Sequence, residues 1–392
     1  MITVTVRSPI RTLDRVPAPT GPGAARRTDR APGAGVGPSV GGDPRAGVLL
    51  RYSDRLPLTP RTPRITLGEG GTPLIAAPSI AAELGLGELL LKFEGLNPTG
   101  SFKDRGMVVA VARALEAGSE VVVCASTGNT SASAAAYAAR FGLRAVVVVP
   151  GGKIAPGKLL QAQVYGAKVL AIRGNFDRAF AIVRELAARY PVTLVNSVNP
   201  DRIEGQKTAA FEIVDAIGGA PDVVSLPVGN AGNITAYWRG FREEHALGRV
   251  VALPRLLGVQ ADGAAPIVRG RVVARPRTVA SAIRIGNPAS WEGAALARDE
   301  SGGAIVAATD GEILTAQRWL AGREGVFAEP ASAASLAGVV QMARSGWIAP
   351  GARVVCVLTG HGLKDPDAAR AELPPPIAVD DDPAGIAKLL KL

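Results

Sequence analysis

Four short segments concentrate the residue types that chemistry needs. In Asn97-Pro98-Thr99-Gly100-Ser101-Phe102-Lys103-Asp104-Arg105-Gly106 a lysine stands among small polar residues where a helix opens. Helix starts favour acids over bases. Lys103 is therefore either an ordinary surface cation or an amine held neutral, or condensed with a carbonyl, for use as a nucleophile. The run Cys124 to Ser131, CASTGNTS, sets hydroxyls, an amide side chain and unsatisfied helix N–H groups together, a cradle for a carboxylate or phosphate. A helix cap with a glycine turn explains one or two of these residues but not the whole polar run. In Pro227 to Asn233, PVGNAGN, the glycines permit close backbone approach at a helix start. This loop matches neither a Walker A sequence nor the dinucleotide spacing, so an anion held there suits a small phosphate-bearing cofactor. Finally, Val355 to Leu363, VCVLTGHGL, ends a strand at Thr359-Gly360. The Thr359 hydroxyl either holds a turn or offers a neutral hydrogen bond to a heteroaromatic nitrogen.

Elements that present these loops follow from the alternation around them. Apolar strands are expected over Glu88–Phe93, Glu120–Ser126, Arg144–Pro150, Ala167–Ile172, Val192–Asn196 and Asp222–Pro227. Between them lie alanine-rich helices over Phe102–Ala117, Asn129–Phe141, Pro156–Tyr165, Phe176–Tyr190, Arg202–Ile217 and Asn233–His245. Continuous apolar strands alternating with helices imply α/β architecture with parallel sheets covered on both faces. Ligands in such folds sit at the carboxyl ends of strands, where all four segments fall.

Composition removes several other functions. The chain has 392 residues and 47% hydrophobic residues, too many for a wholly disordered protein. Its longest apolar runs fall far short of the ~20 residues that cross a bilayer, so a soluble protein without a membrane partner is expected. The formal charge is +10, but residues 1–64 hold 11 Arg against 4 Asp. The remainder, 33 basic against 30 acidic residues, is nearly neutral, which argues against a nucleic-acid surface. Only two cysteines, Cys124 and Cys356, and two histidines, His245 and His361, are present. That usage indicates no metal site and a reducing, cytoplasmic setting. Residues 1–45, rich in Pro and Gly, are expected to form a disordered, dispensable extension. At the other end, 366–392 forms a tail in which Pro374 to Asp382 tethers a short amphipathic stretch, Ala384 to Leu392.

Taken together, NPTGSFKDR, STGNT, GNAGN and the terminal Thr-Gly resemble the fold-type II pyridoxal-phosphate enzymes, and among them the threonine synthase family most closely. The resemblance runs from about Gly47 to Pro366 and includes LGEGGTPL (67–74), NSVNPDRIEGQKTAAFEI (196–213), IRIGNPASW (283–291), GVFAEPASAASLAG (325–338) and LTGHGLKDP (358–366). It implies a two-domain, tryptophan synthase β-like fold. Residues 46–95 and 195–365 would form a large cofactor-binding domain and 96–194 a small mobile one, in a homodimer. It also implies pyridoxal 5'-phosphate, held covalently by Lys103. Asn129 would meet the cofactor's phenolic oxygen, Gly229, Asn230, Ala231, Gly232 and Asn233 its phosphate, and Thr359 its pyridine nitrogen. The implied substrate is O-phospho-L-homoserine, converted with water to L-threonine and phosphate. Ser126, Thr127 and Thr130 would bind its carboxylate and part of its phosphate, and Asn196, Ser197, Arg202 and Asn230 the rest of the phosphate.

A threonine or serine dehydratase or a cysteine synthase would share Lys103, Asn129 and the glycine loop. Those enzymes have no need of Asn196, Ser197 and Arg202 together. A binding protein that kept the cradle and lost the chemistry is a further alternative, and the presence of Lys103 and Thr359 argues against it. His361 is read as structural and Phe102 as packing. Glu329 either abuts the cleft or caps the next helix, and it receives no role from the sequence.

Overall fold

The computed structural model describes residues 43, 46–151, 156–370, 373–379 and 381–390. The extension expected over 1–45 lies almost wholly outside the described residues. Among the described residues there are ten strands: β1 (Leu74–Ala76), β2 (Glu88–Phe93), β3 (Val121–Ala125), β4 (Arg144–Pro150), β5 (Lys168–Ile172), β6 (Val192–Leu194), β7 (Val223–Pro227), β8 (Arg255–Ala261), β9 (Ala304–Ala308) and β10 (Arg353–Leu358). They form a six-stranded sheet in the order β1-β2-β10-β7-β8-β9 and a four-stranded sheet in the order β5-β4-β3-β6. Every pairing is parallel except that of the three-residue edge strand β1 with β2.

Both sheets are covered on both faces, which is why their strands carry unbroken apolar runs. In the larger sheet, Leu89, Leu91, Cys356 and Leu358 face the helices Asp310–Glu324 and Pro330–Arg344. Leu90, Val224, Leu226 and Val357 face the opposite side, toward the helices Pro200–Ile217, Gly232–Ala246 and Trp291–Glu300. In the smaller sheet, Val122, Cys124 and Val147 pack on the helices Lys103–Glu116 and Asn129–Phe141, while Val123, Ala125 and Val148 meet Phe176–Arg189. Val48, Leu49, Tyr52 and Leu56, from the start of the described chain, join the Lys103–Glu116 side of this second core.

Two helices tie the sheets together by crossing at close range. Gly106, in the helix that Lys103 opens, lies against the helix Pro200–Ile217, and a Cβ there would come within 2.5 Å of the Arg202 carbonyl oxygen. Gly205 meets the Arg105 carbonyl even more closely. Beside this crossing, Arg105 is locked between two carboxylates, its Nε 2.6 Å from Glu94 and its guanidinium 2.6 and 2.7 Å from Glu212. Lys92 of β2 adds a 2.7 Å bond to Glu212. The group is buried and every member is paired, as a buried charge requires.

Candidate active site

Lys103 is the first residue of its helix, and backbone contacts fix the turn before it. The Phe102 N–H donates to the Thr359 carbonyl at 2.9 Å and the His361 N–H to the Gly100 carbonyl at 2.9 Å. The Glu329 N–H in turn donates to the Gly360 carbonyl at 3.0 Å. Three distant segments, 100–103, 327–329 and 359–362, are thus brought side by side at the end of β10. Asp104 anchors the turn from within, accepting bonds from the Thr99 N–H and hydroxyl at 2.7 and 2.6 Å and from the Ser133 hydroxyl at 2.6 Å. Burial lifts that carboxyl to about 6. The Lys103 amine lies 4.3 Å from the Phe102 ring centre, so Phe102 touches the reactive end as well as packing. Removal from water, helped by the Arg202 charge and opposed by Glu329, lowers the amine to about 7.

Asn129 opens the next helix, after a Gly128 turn in which no side chain caps the helix. Its Nδ2 donates to both oxygens of Glu329, at 3.3 and 3.1 Å. Thr359 is buried, 2.9 Å from the Ser332 hydroxyl and 3.4 Å from Glu329. The Glu329 carboxylate thus bridges two residues assigned to different atoms of a cofactor ring. Glu329 is what the sequence left open. Its carboxylate makes no bond to the helix Pro330–Arg344 that it precedes, so it faces the cleft and does not cap. Ser332 carried no signal at all in the sequence. His361 packs between Phe93 and Phe327, and its Nδ1 accepts the Leu363 N–H at 3.2 Å.

The glycine loop leaves β7 and enters the helix Gly232–Ala246, whose start also has no side-chain cap. Ala231 has φ 65°, the one non-glycine residue with positive φ among the described residues, a strained conformation of the kind found where a loop is shaped for a ligand. A Cβ at Gly229 would stand 3.0 Å from the Ile283 backbone. Asn233 is buried with both polar atoms of its amide unpartnered. A buried amide without partners is costly unless a ligand supplies them. An amine of lowered pKa, an amide and a hydroxyl flanking one carboxylate, and an amide-lined turn with a waiting Asn233 fit pyridoxal phosphate.

The residues expected around the substrate phosphate divide. Asn230 donates to the Ser197 hydroxyl at 2.9 Å, so those two meet. Asn196 brackets the end of β3, bonding the Ala125 N–H and carbonyl at 2.9 Å each, which leaves one amide N–H uncommitted. Arg202 is wholly buried; one nitrogen reaches the Val195 carbonyl at 2.7 Å, while Nε and the other terminal nitrogen have no partner. Burial lowers it to about 10, with Cys124 and Asp104 opposing. Ser126, Thr127 and Thr130 line the turn into the Asn129 helix, half-buried, and the Ser126 hydroxyl accepts the Gly128 N–H at 3.2 Å.

Such a lysine, amide and anion-cradle arrangement between two parallel sheets defines a class of enzyme, and comparison with known proteins agrees. The profile of the family described as pyridoxal-phosphate dependent enzyme matches residues 65–360, and the chain belongs to that family. The threonine synthase of Mycobacterium tuberculosis is 56% identical over 91% of this chain and 99% of its own length. That of Halalkalibacterium halodurans is 58% identical over 86% and 96%. Within the family, then, the chain falls among the threonine synthases, which depend on pyridoxal phosphate. Among solved structures, maize serine racemase superposes with TM-score 0.65 at 21% identity, covering 76% of this chain and 91% of that one, a likeness of fold. The processed form of threonine deaminase isoform 2 from Solanum lycopersicum shares the fold in the same way, with TM-score 0.64 at 20% identity, covering 82% of each chain.

Proposed function

We propose that the enzyme converts O-phospho-L-homoserine and water to L-threonine and inorganic phosphate. Lys103 holds the cofactor covalently, Asn129 faces its phenolic oxygen, Thr359 its pyridine nitrogen, and Gly229 to Asn233 its phosphate. Bound pyridoxal phosphate supplies an electron sink for charge that develops on the substrate's carbons. Lys103 is the mobile base: once the substrate's amine has displaced it, its own amine, about half neutral near pH 7, takes the proton from the α carbon, hands that proton on, and is then free to take one from the β carbon as phosphate leaves the γ carbon. The same amine returns protons as water adds at the β carbon. Ser126, Thr127 and Thr130 hold the α-carboxylate and part of the phosphate, while Asn196, Ser197, Arg202 and Asn230 hold the remainder.

The observation that carries the substrate assignment is Arg202, a buried guanidinium with two unpaired nitrogen groups and no hydrogen-bonded carboxylate among the described residues. A planar fork of that kind suits a phosphate. A dehydratase acting on an unphosphorylated hydroxyamino acid has no use for it. Because the free edges of Arg202 are sealed from solvent, the reading includes movement of a small domain, residues 96–194, against a large one formed by 46–95 and 195–365. The protein is further read as a cytoplasmic homodimer. No helix among the described residues is long and apolar enough to cross a membrane.

The test is phosphate release and threonine formation from O-phosphohomoserine, beside deamination of threonine and serine. Arg202→Ala should raise KM for the phosphorylated substrate at least tenfold, the loss of a charged hydrogen-bonding fork, while cofactor affinity changes by less than about twofold. Borohydride reduction should place the cofactor label on Lys103. Deamination without threonine formation would assign the dehydratase reaction instead.

A further inference from the structure

The cleft holds one buried ionisable group that the proposed reaction does not use. Glu329 is 2% exposed, precedes the helix Pro330–Arg344 without capping it, and directs both carboxylate oxygens at the amide nitrogen of Asn129, 200 residues away in sequence. Gly360 leaves room for it, since a Cβ there would lie 2.7 Å from the carboxylate carbon. Lys103 and Lys364 act on Glu329 electrostatically, as does Asp365 with the opposite sign, and Thr359 donates to it.

An ionised carboxylate only accepts hydrogen bonds. It therefore settles which end of the Asn129 amide faces it, and one nitrogen carries two N–H groups. We propose that Glu329 is a positioning residue: by taking one N–H of Asn129 it fixes the amide so that the second N–H, and not the oxygen, points into the cofactor cleft. This rests on the reading that Asn129 meets the phenolic oxygen. A flipped amide would set its oxygen against that electron-rich group and lose the bond. Burial raises Glu329 to about 6, so near neutral pH it is chiefly ionised and able to act in this way.

A double-mutant cycle read by pyridoxal phosphate affinity and by the visible band of the loaded protein tests the proposal. Asn129→Ala should weaken binding about tenfold and shift the band, and Glu329→Gln, whose amide can also donate, should weaken it about threefold. The double variant should bind no more weakly than Asn129→Ala alone, since nothing remains to be oriented. Additive losses, or no effect of Glu329→Gln on either readout, would overturn the proposal. No effect of Asn129→Ala would instead remove the underlying assignment of Asn129, and the proposal with it. If Glu329→Gln does not fold, the wild-type band titrated from about pH 8 to about pH 5 serves the same purpose. Protonated Glu329 frees the amide, so an acid-limb shift should appear in wild type and be absent from Asn129→Ala; equal shifts in both would refute it.

Discussion

A lysine whose ammonium form is poorly tolerated leaves a mark on stability as well as on reactivity. Lys103 is lowered to about 7 in the folded protein from its ordinary 10.5. Between those values the unfolded chain holds the proton and the folded chain does not, so stability of the cofactor-free protein should climb with pH across that window. Below about pH 7 the full cost of the charged amine is present. Lys103→Met should therefore stabilise the cofactor-free protein by about 1–3 kcal/mol near pH 6, after allowance for the partly open amine, and the gain should fade toward about pH 10. Chemical denaturation at a series of pH values measures this; a gain independent of pH would mean that Lys103 does not titrate as described. For the same reason the rate of covalent cofactor capture should plateau above about pH 7. At this scale the sequence was informative wherever a residue type was out of place, as with a lysine opening a helix. It was silent on Glu329, because a glutamate before a proline at a helix start reads equally well as a cap.

Between residues and the cleft stands the crossing of the helices Lys103–Glu116 and Pro200–Ile217. It sets Lys103 and Arg202, each near the start of its helix, close enough for the arginine charge to lower the lysine. Gly106 and Gly205 permit the approach. Gly205→Ala has no way to fit without driving the helices apart, because the obstructing atom is a backbone carbonyl. It should cost about 3 kcal/mol or more, and any folded remainder should show Lys103 titrating closer to a free lysine. The ion group beside the crossing gives a second measure: Glu212→Gln leaves Arg105 and Lys92 short of charge and should cost about 3–5 kcal/mol, visible as a lowered denaturation midpoint. Strands and helices between residues 88 and 246 were legible to within two residues because alternating apolar runs and glycine stops marked them. After His245 the signal weakens for physical reasons. Strand β8 contains Gly258, packed against Val228 and Ile305, and β9 is three-fifths alanine, so neither resembles a β-branched core strand. Edge strand β1 is only three residues long.

Across the whole molecule, the parts around the smaller sheet meet those around the larger one at the crossing of the helices Lys103–Glu116 and Pro200–Ile217 and through polar side chains, among them Asn129 with Glu329, and Lys364 with Gln161 and the Thr99 carbonyl. Lys364 bonds Thr99 at 3.0 Å and Gln161 does so at 3.2 Å. No periodicity announces such contacts: the strand-to-helix loops and the resemblance of the motifs located the cleft, but not the side chains that meet across it. Arg202, by contrast, is a buried charge with no ion-pair partner among the described residues. A protein that keeps such a group accepts a stability loss for a function. Replacing Arg202 by methionine should therefore raise the melting temperature in chloride buffer, by the equivalent of about 1–3 kcal/mol, since an apolar chain of similar length relieves an unpaired buried charge. Inorganic phosphate at matched ionic strength should stabilise the wild type and leave Arg202→Met unmoved, because only a ligand that binds the folded state shifts the equilibrium. If phosphate stabilised both proteins equally, the anion would be acting at the glycine loop or at the surface. If Arg202→Met melted lower in chloride, the Val195 bond would outweigh the burial cost, and the arginine would be a structural strut between β6 and its own helix.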